Sequence, residues 1–444
     1  MKTELYLRTL SKPVFGYLLA FAIGWYFGAA NVRGLPVGII YGVLMLVCIV
    51  YAVKGNLDKV FTLLPYILYG ELYVRAYGRV LPYLVCQYFF IALLIILFAK
   101  KKGGYSIHSR AFLFLCIYFI MEALDMVRAA DQNTTRGIIV QTLTLTMAAL
   151  WGSFTIITPS LVNKLFTHIK YASLFLCGVM LTAQAGVEQF DIHSSYETTN
   201  GLAPVQVSAY LGLACVIFFW TIINGKGLNF NTLLNVALLA YVCVAMLLSF
   251  SRGGLYFLAI LVVLYFFLNT NKARSWSVLL LLVPVVLAVY GYITDKTGGA
   301  IQERYTEHGT SGRDKLVELG FMLFSEEPVM GVGTGNFAYV VSARKLYYLS
   351  GAHNEFVRSA AEHGFLGIFF YWGYFAFLFL EISLRKGVQK EYAYYFLLLF
   401  TLMVVHNGLK ISIQPLMILL ATATPNFVRI KAKANVPASV QLTG

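Results

Sequence analysis

The 444-residue chain carries 34 Lys and Arg against 20 Asp and Glu, a formal charge of +14, yet only 12% of it is charged and 59% is hydrophobic. Soluble domains are about one-quarter charged, so this composition excludes a soluble globular protein, and the positive excess belongs with membrane topology and anionic lipid rather than nucleic acid. The six cysteines are unclustered and lie within apolar runs, which excludes a disulfide framework and a zinc spacing.

Apolar runs able to cross a hydrocarbon layer of about 30 Å recur from end to end, and each must be helical because lipid offers no partner to unpaired backbone groups. In chain order the predicted spans are 14–30, 35–53, 60–77, 80–99, 111–127, 138–158, 171–186, 204–224, 231–249, 255–269, 276–294, 364–384, 393–409 and 411–423. The first lacks a small-residue cleavage site and is expected to be retained. The third and last are short or interrupted by Pro65 and Pro415, so about 12 to 14 transmembrane helices are expected, in one integral domain covering 1–444.

With a cytoplasmic amino terminus, alternate connections carry Lys54 and Lys59, Lys100 to Lys102, Lys164 and Lys170, Lys226, Lys272 and Arg274, and then Arg385, Lys386 and Lys390. That side holds 20 Lys and Arg against 14 opposite, half of them in one long loop where the positive-inside rule has least force. The expected product is an all-α polytopic protein with both termini cytoplasmic and a long loop, 295–362, on the periplasmic face of a bacterial inner membrane. No internal repeat or matched pair of Gly/Pro-broken helices of the inverted-repeat transporter kind is present in the sequence.

Three stretches could carry chemistry. In "SFSRGG", 249–254, Arg252 stands at the outer junction of two spans; it could snorkel to lipid headgroups, but the two glycines permit a close approach that turns the guanidinium toward the bundle mouth. In the long loop a helical pattern begins at Arg313 with Leu316, Gly320, Leu323 and Phe324 on one side, which predicts an amphipathic helix lying on the membrane until Pro328 stops it. The "GVGTGNF" that follows is a glycine-rich turn without the lysine or strand of a nucleotide-binding loop. In "AHNEFVRSAAEHGFLG", 352–367, a continuous helix would put His353, Val357, Ala360, Ala361 and Gly364 on one face, with His353 roughly 16 Å beyond Gly364. A single exposed histidine is ordinarily a surface polar residue.

The His-Asn pair followed after nine residues by Gly-x-x-Gly, met by His353, Asn354, Gly364 and Gly367, resembles the signature of the O-antigen ligase superfamily, which includes O-antigen polymerases and protein O-oligosaccharyltransferases. The "SRGG" and "SGR…P…GVGTGNF" stretches fit the same pattern over roughly 241–373. The resemblance implies a GT-C-like membrane glycosyltransferase that moves a glycan from undecaprenyl diphosphate to an acceptor hydroxyl, with Arg252 and Arg313 on the donor diphosphate and His353 required for transfer.

The chemistry is coherent on its own terms. A diphosphate is a good leaving group, so the protein must neutralise departing charge, for which guanidinium groups are suited, and orient a hydroxyl, for which histidine is suited as base or hydrogen-bond acceptor. No Asp-x-Asp motif lies on the outer face, so arginine rather than a metal is expected to hold the diphosphate, and no cofactor is expected. Asn354 is a further sugar-binding or helix-starting candidate, and Arg304, Arg75 and Arg79 are secondary donor contacts, although Glu71, Arg75 and Arg79 at four-residue spacing equally describe a self-paired helix face. Glu122 and Asp125 are costly in a span unless paired, and Arg128 is near enough in sequence to serve. The expected acceptor is lipid A core, giving an O-antigen ligase; a polymerase acting on a second lipid-linked glycan, a protein-glycosylating transferase and, from another class, a polysaccharide or lipid flippase are the alternatives.

Overall fold

Each of the fourteen expected spans contains a helix in the computed structural model, which describes residues 2–78, 80–101, 107–190, 192, 196–224, 229–268, 272–306, 312–348 and 351–425; the helix expected from 80 starts at Val85, and the one expected to reach 158 ends at Ser153. Among these residues, six helices are long and apolar enough to cross a bilayer, including Leu35–Val53, Pro204–Ile223 and the kinked Glu355–Ser383 rod, and shorter apolar helices stand beside them. The protein is an all-α polytopic membrane protein. Its only strand pairing among the described residues is a two-residue parallel match of Ile156–Ile157 with Thr424–Pro425.

Helix ends follow local chemistry. Asn56, Asp131, Thr158, Asn229 and Asn354 cap the helices that follow them, their side chains accepting backbone N–H groups that lipid would leave unsatisfied. One expectation about a connection fails: Lys170 was assigned to a cytoplasmic loop, but the helix begins at Pro159 and runs 28 residues, so Lys170 is buried and donates to Asn235 Oδ1 at 2.8 Å. Thr158 and Pro159 form a helix start that the hydropathy minimum around Lys164 conceals.

The long loop is a layer packed on the bundle. The Arg313–Glu326 helix was expected to lie on lipid; instead Leu316, Leu319 and Leu323 are buried against Phe337, Val341 and Ala361, because the start of the Glu355–Gly367 helix supplies an apolar partner. The turn of "GVGTGNF" is pinned to that same helix: the Val332 and Gly333 N–H groups donate to Ala361 and Glu362 carbonyls at 3.0 and 2.9 Å. Gly364 has φ +60, which kinks the rod, and a Cβ there would collide with the Pro328 and Val329 backbone, so only glycine serves.

Beneath this layer lies a buried ion cluster that sequence proximity did not reveal. Glu122 pairs with Arg358, 2.7 Å away, whereas Arg128 pairs with Asp125 at 3.2 Å. The same guanidinium donates to Glu355 Oε1 from Nε at 2.8 Å and to Glu362 from Nη1. Glu362 in turn accepts from Phe337 N at 3.2 Å, and Glu355 accepts from Leu409 N at 3.2 Å. Helix 112–124, the rod, the loop layer and the break between the last two spans thus meet at one side chain.

Arg358→Met should therefore strand three buried carboxylates at a cost of about 3–5 kcal/mol, lowering the detergent-solubilised midpoint or preventing folding. Thermal unfolding decides this; a midpoint within a degree or two of wild type would show that the cluster does not hold the layers.

Candidate active site

The turn after the Phe230–Leu247 helix sets the first guanidinium. Phe250 adopts φ +55, Ser208 Oγ accepts Gly254 N–H at 2.9 Å and donates to Ser251 O at 3.0 Å, and a Cβ on Gly253 would strike the His406 ring. The turn is thereby drawn tight between two neighbouring helices, and Arg252 is directed inward: it donates to the Arg304 carbonyl and lies 5.2 Å from the centre of the Tyr305 ring. Arg304 comes from the short Ala300–Thr306 helix. Arg313 opens the next helix, after Gly312 in the left-handed conformation, with Nη1 3.0 Å from His406 Nε2.

His353 departs from the expected register. The helix starts at Glu355, Asn354 is its N-cap, accepting from Phe356 and Val357 N–H at 3.0 and 3.3 Å, and His353 precedes it with φ +51. It shares no helical face with Val357 or Gly364, and the roughly 16 Å helical offset does not apply, because an Asn cap requires extended backbone where that reading supposed a turn of helix. His353 instead stands outside the helix, with its Nδ1 3.4 Å from Nζ of Lys410 in the break between the last two spans.

Arg252, Arg304, Arg313, His353 and Asn354 all line one cavity of about 650 Å³, together with His406 and Tyr256. Asp314 is the one acidic residue among its lining side chains. A second cavity, of about 360 Å³, shares Ala352 and His353 with the first and is lined also by Gln141, Thr134 and Lys410. Three guanidinium groups converging on a half-enclosed space suit a multiply charged oxyanion, which they can grip in bidentate fashion. Burial, then Lys410 and Arg313, lowers the His353 pKa to about 4, so the imidazole is neutral at physiological pH and charges only as pH falls through about 4.

The remaining candidates lie elsewhere. Arg75 pairs with Glu71 at 2.6 Å and donates to Lys410 O at 2.7 Å, and it lines neither cavity. Arg79 lies outside the described residues. Two site residues escape sequence reading, His406 and Lys410, both in "HNGLK", which reads as the frayed end of an apolar helix. The available signal was four non-aliphatic residues wedged between two apolar runs, with a helix-stopping glycine among them.

Residues 234–372 match the family model described as O-antigen ligase. The match takes in Arg252, Arg304, Arg313, His353 and both glycines of Gly-x-x-Gly, and it supports membership of the O-antigen ligase superfamily. No curated protein matches the chain. The match indicates an O-antigen ligase- or polymerase-like membrane glycosyltransferase acting between a lipid-linked glycan and an acceptor.

If the arginines hold an oxyanion, Arg252→Lys and Arg313→Lys will each weaken binding of an isoprenyl diphosphate probe by roughly 10- to 150-fold, since a charge-assisted contact is worth about 1.5–3 kcal/mol and a point charge replaces a planar fork. Calorimetric titration of the two variants measures it, and unchanged affinity in both would remove the arginines from the site.

Proposed function

We propose that this protein is an O-antigen ligase: it transfers a glycan from undecaprenyl diphosphate to a hydroxyl of lipid A core, with inversion and without a metal. The observation that carries the reading is the position of His353 on a wall shared by two cavities, one of which is lined by three arginines. The donor diphosphate occupies the arginine cavity. Arg252 and Arg313 hold its oxygens, and Arg304 adds positive potential where negative charge grows as the bond to the sugar breaks.

The acceptor hydroxyl reaches His353 from the side of the second cavity. Its oxygen bonds to the anomeric carbon as the carbon–oxygen bond to the diphosphate breaks, the electron pair leaving on phosphate; attack opposite the leaving group inverts the centre. A neutral imidazole suits this step because it can take the hydroxyl proton, and burial, the largest cause of its lowered pKa, keeps it neutral at physiological pH. Asn354 sets the ring's place by capping the helix that follows.

The loop layer is assigned to the periplasmic face of the inner membrane, in keeping with the distribution of Lys and Arg. A cysteine placed at exposed Ser325 should then react with an impermeant maleimide on intact spheroplasts while one at exposed Lys54 does not; the reverse pattern would invert the assignment.

The transfer itself is tested with purified protein, lipid-linked donor and, in parallel, lipid A core or a second lipid-linked glycan, in chelator. Product on lipid A core alone is expected; product only on the second glycan would make the protein a polymerase. His353→Ala should slow transfer by about 10² to 10⁴, the range of general acid–base catalysis, with donor affinity unchanged. A folded His353→Ala protein that transfers at the wild-type rate, or fails only by losing donor, would refute the role given to the histidine.

A further inference from the structure

Lys410 occupies the break between the Val388–Asn407 and Ile413–Thr422 helices, and much of the backbone around it is held by side chains. Gln414 Oε1 accepts from Lys410 N and Ile411 N at 3.1 and 3.2 Å, its Nε2 donates to Gly408 O at 2.6 Å, and Arg75 donates to Lys410 O. Glu355 takes Leu409 N–H on one side, and Glu71 takes Ser412 N–H at 2.9 Å on the other. So much fixed backbone around one residue aims its side chain, and Nζ meets His353 Nδ1 at 3.4 Å on the wall of the second cavity.

This contact constrains the imidazole. While Lys410 is an ammonium it can only donate, so Nδ1 must accept and the one ring proton sits on Nε2, leaving no lone pair for a hydroxyl proton. When Lys410 is neutral, its lone pair accepts Nδ1–H and Nε2 is free to act as a base. We propose that Lys410 is a positioning residue that acts through His353, setting its tautomer and taking up the proton the ring receives. The proposal rests on the reading of His353 as the group that meets the acceptor hydroxyl.

In the step, the hydroxyl proton passes to Nε2 as the acceptor oxygen bonds to the anomeric carbon and the diphosphate leaves with its electron pair; the Nδ1 proton passes to Nζ, and the resulting ammonium later loses one proton to water. Charge around the pair permits this. Burial lowers the lysine's affinity for a proton, Glu355 opposes that effect and Arg313 reinforces it. His406 lies beyond Arg313, Arg75 lies behind the Lys410 carbonyl paired with Glu71, and Arg358 and Glu362 line the same cavity already paired to each other.

Three full-length proteins in detergent test it: wild type, Lys410→Arg and Lys410→Met. Lys410→Arg keeps a cation beside Nδ1 but cannot give up a proton, so transfer should fall about 10²-fold in kcat with donor and acceptor KM little changed. Wild-type kcat should rise with pH along a limb below the ordinary lysine value, and that limb should be absent from both variants. Lys410→Met removes a cation, so the pH at which His353 charges should rise from about 4 toward the ordinary histidine value. Ring ¹⁵N shifts of His353 report that pH, and the tautomer, without any turnover. They therefore separate failure of this inference from failure of the glycosyltransferase reading, which would appear as no transfer by wild type. Lys410→Arg with wild-type kcat and pH profile, or a His353 titration unmoved in Lys410→Met, would overturn the proposal.

Discussion

The buried guanidinium of Arg358 is the constraint on which the rest depends. It has carboxylates from its own helix on either side, Glu355 and Glu362, and one from a distant span, Glu122. Removing so many charges from water is expensive, and an apolar core of equal volume could be as stable. What the cluster adds is position: the remaining oxygens of Glu355 and Glu362 take backbone N–H groups of the last break and of the loop layer. His353, two residues before Glu355, inherits its place from that lattice.

The donor cavity presents the opposite problem. Arg252, Arg304 and Arg313 share one space, and like charges gathered there repel one another. Arg252 rests on the Arg304 carbonyl and the Tyr305 ring, and Arg313 on the His406 imidazole. Partners of that kind orient a guanidinium, and a preset direction is what a multiply charged ligand requires. Arg75, outside this cavity, is paired with Glu71.

How much of this was legible in the sequence depended on the range of the interaction. Helices were legible because lipid forces every apolar run to satisfy its own backbone, and Leu35–Val53 begins and ends where hydropathy alone puts it. Arg252, Arg313 and His353 were singled out by the resemblance to the O-antigen ligase pattern, with Asn354 beside the histidine and Arg304 as a secondary candidate, and the structure places all five around one cavity. The pairing of Glu122 with Arg358 was not legible, since 236 residues separate them and Arg128 offered a nearer partner. The start of the last-but-two rod was misjudged for a local reason: Asn354 reads equally well as a helical residue and as a cap, and the choice decides where His353 points. His406 and Lys410 were passed over because a hydropathy window averages two polar side chains into the runs on either side.

The break at Lys410 bears on how such a site is inherited. The matched segment, 234–372, holds the arginines and His353, but the groups against which Arg313 and His353 rest, His406 and Lys410, come from beyond its end, and Glu122 comes from before its start. Shuffling that segment between chains would separate each side chain from its counterpart. A chain that received the segment alone would need matching partners at 122, 406 and 410 to hold the same side chains in place.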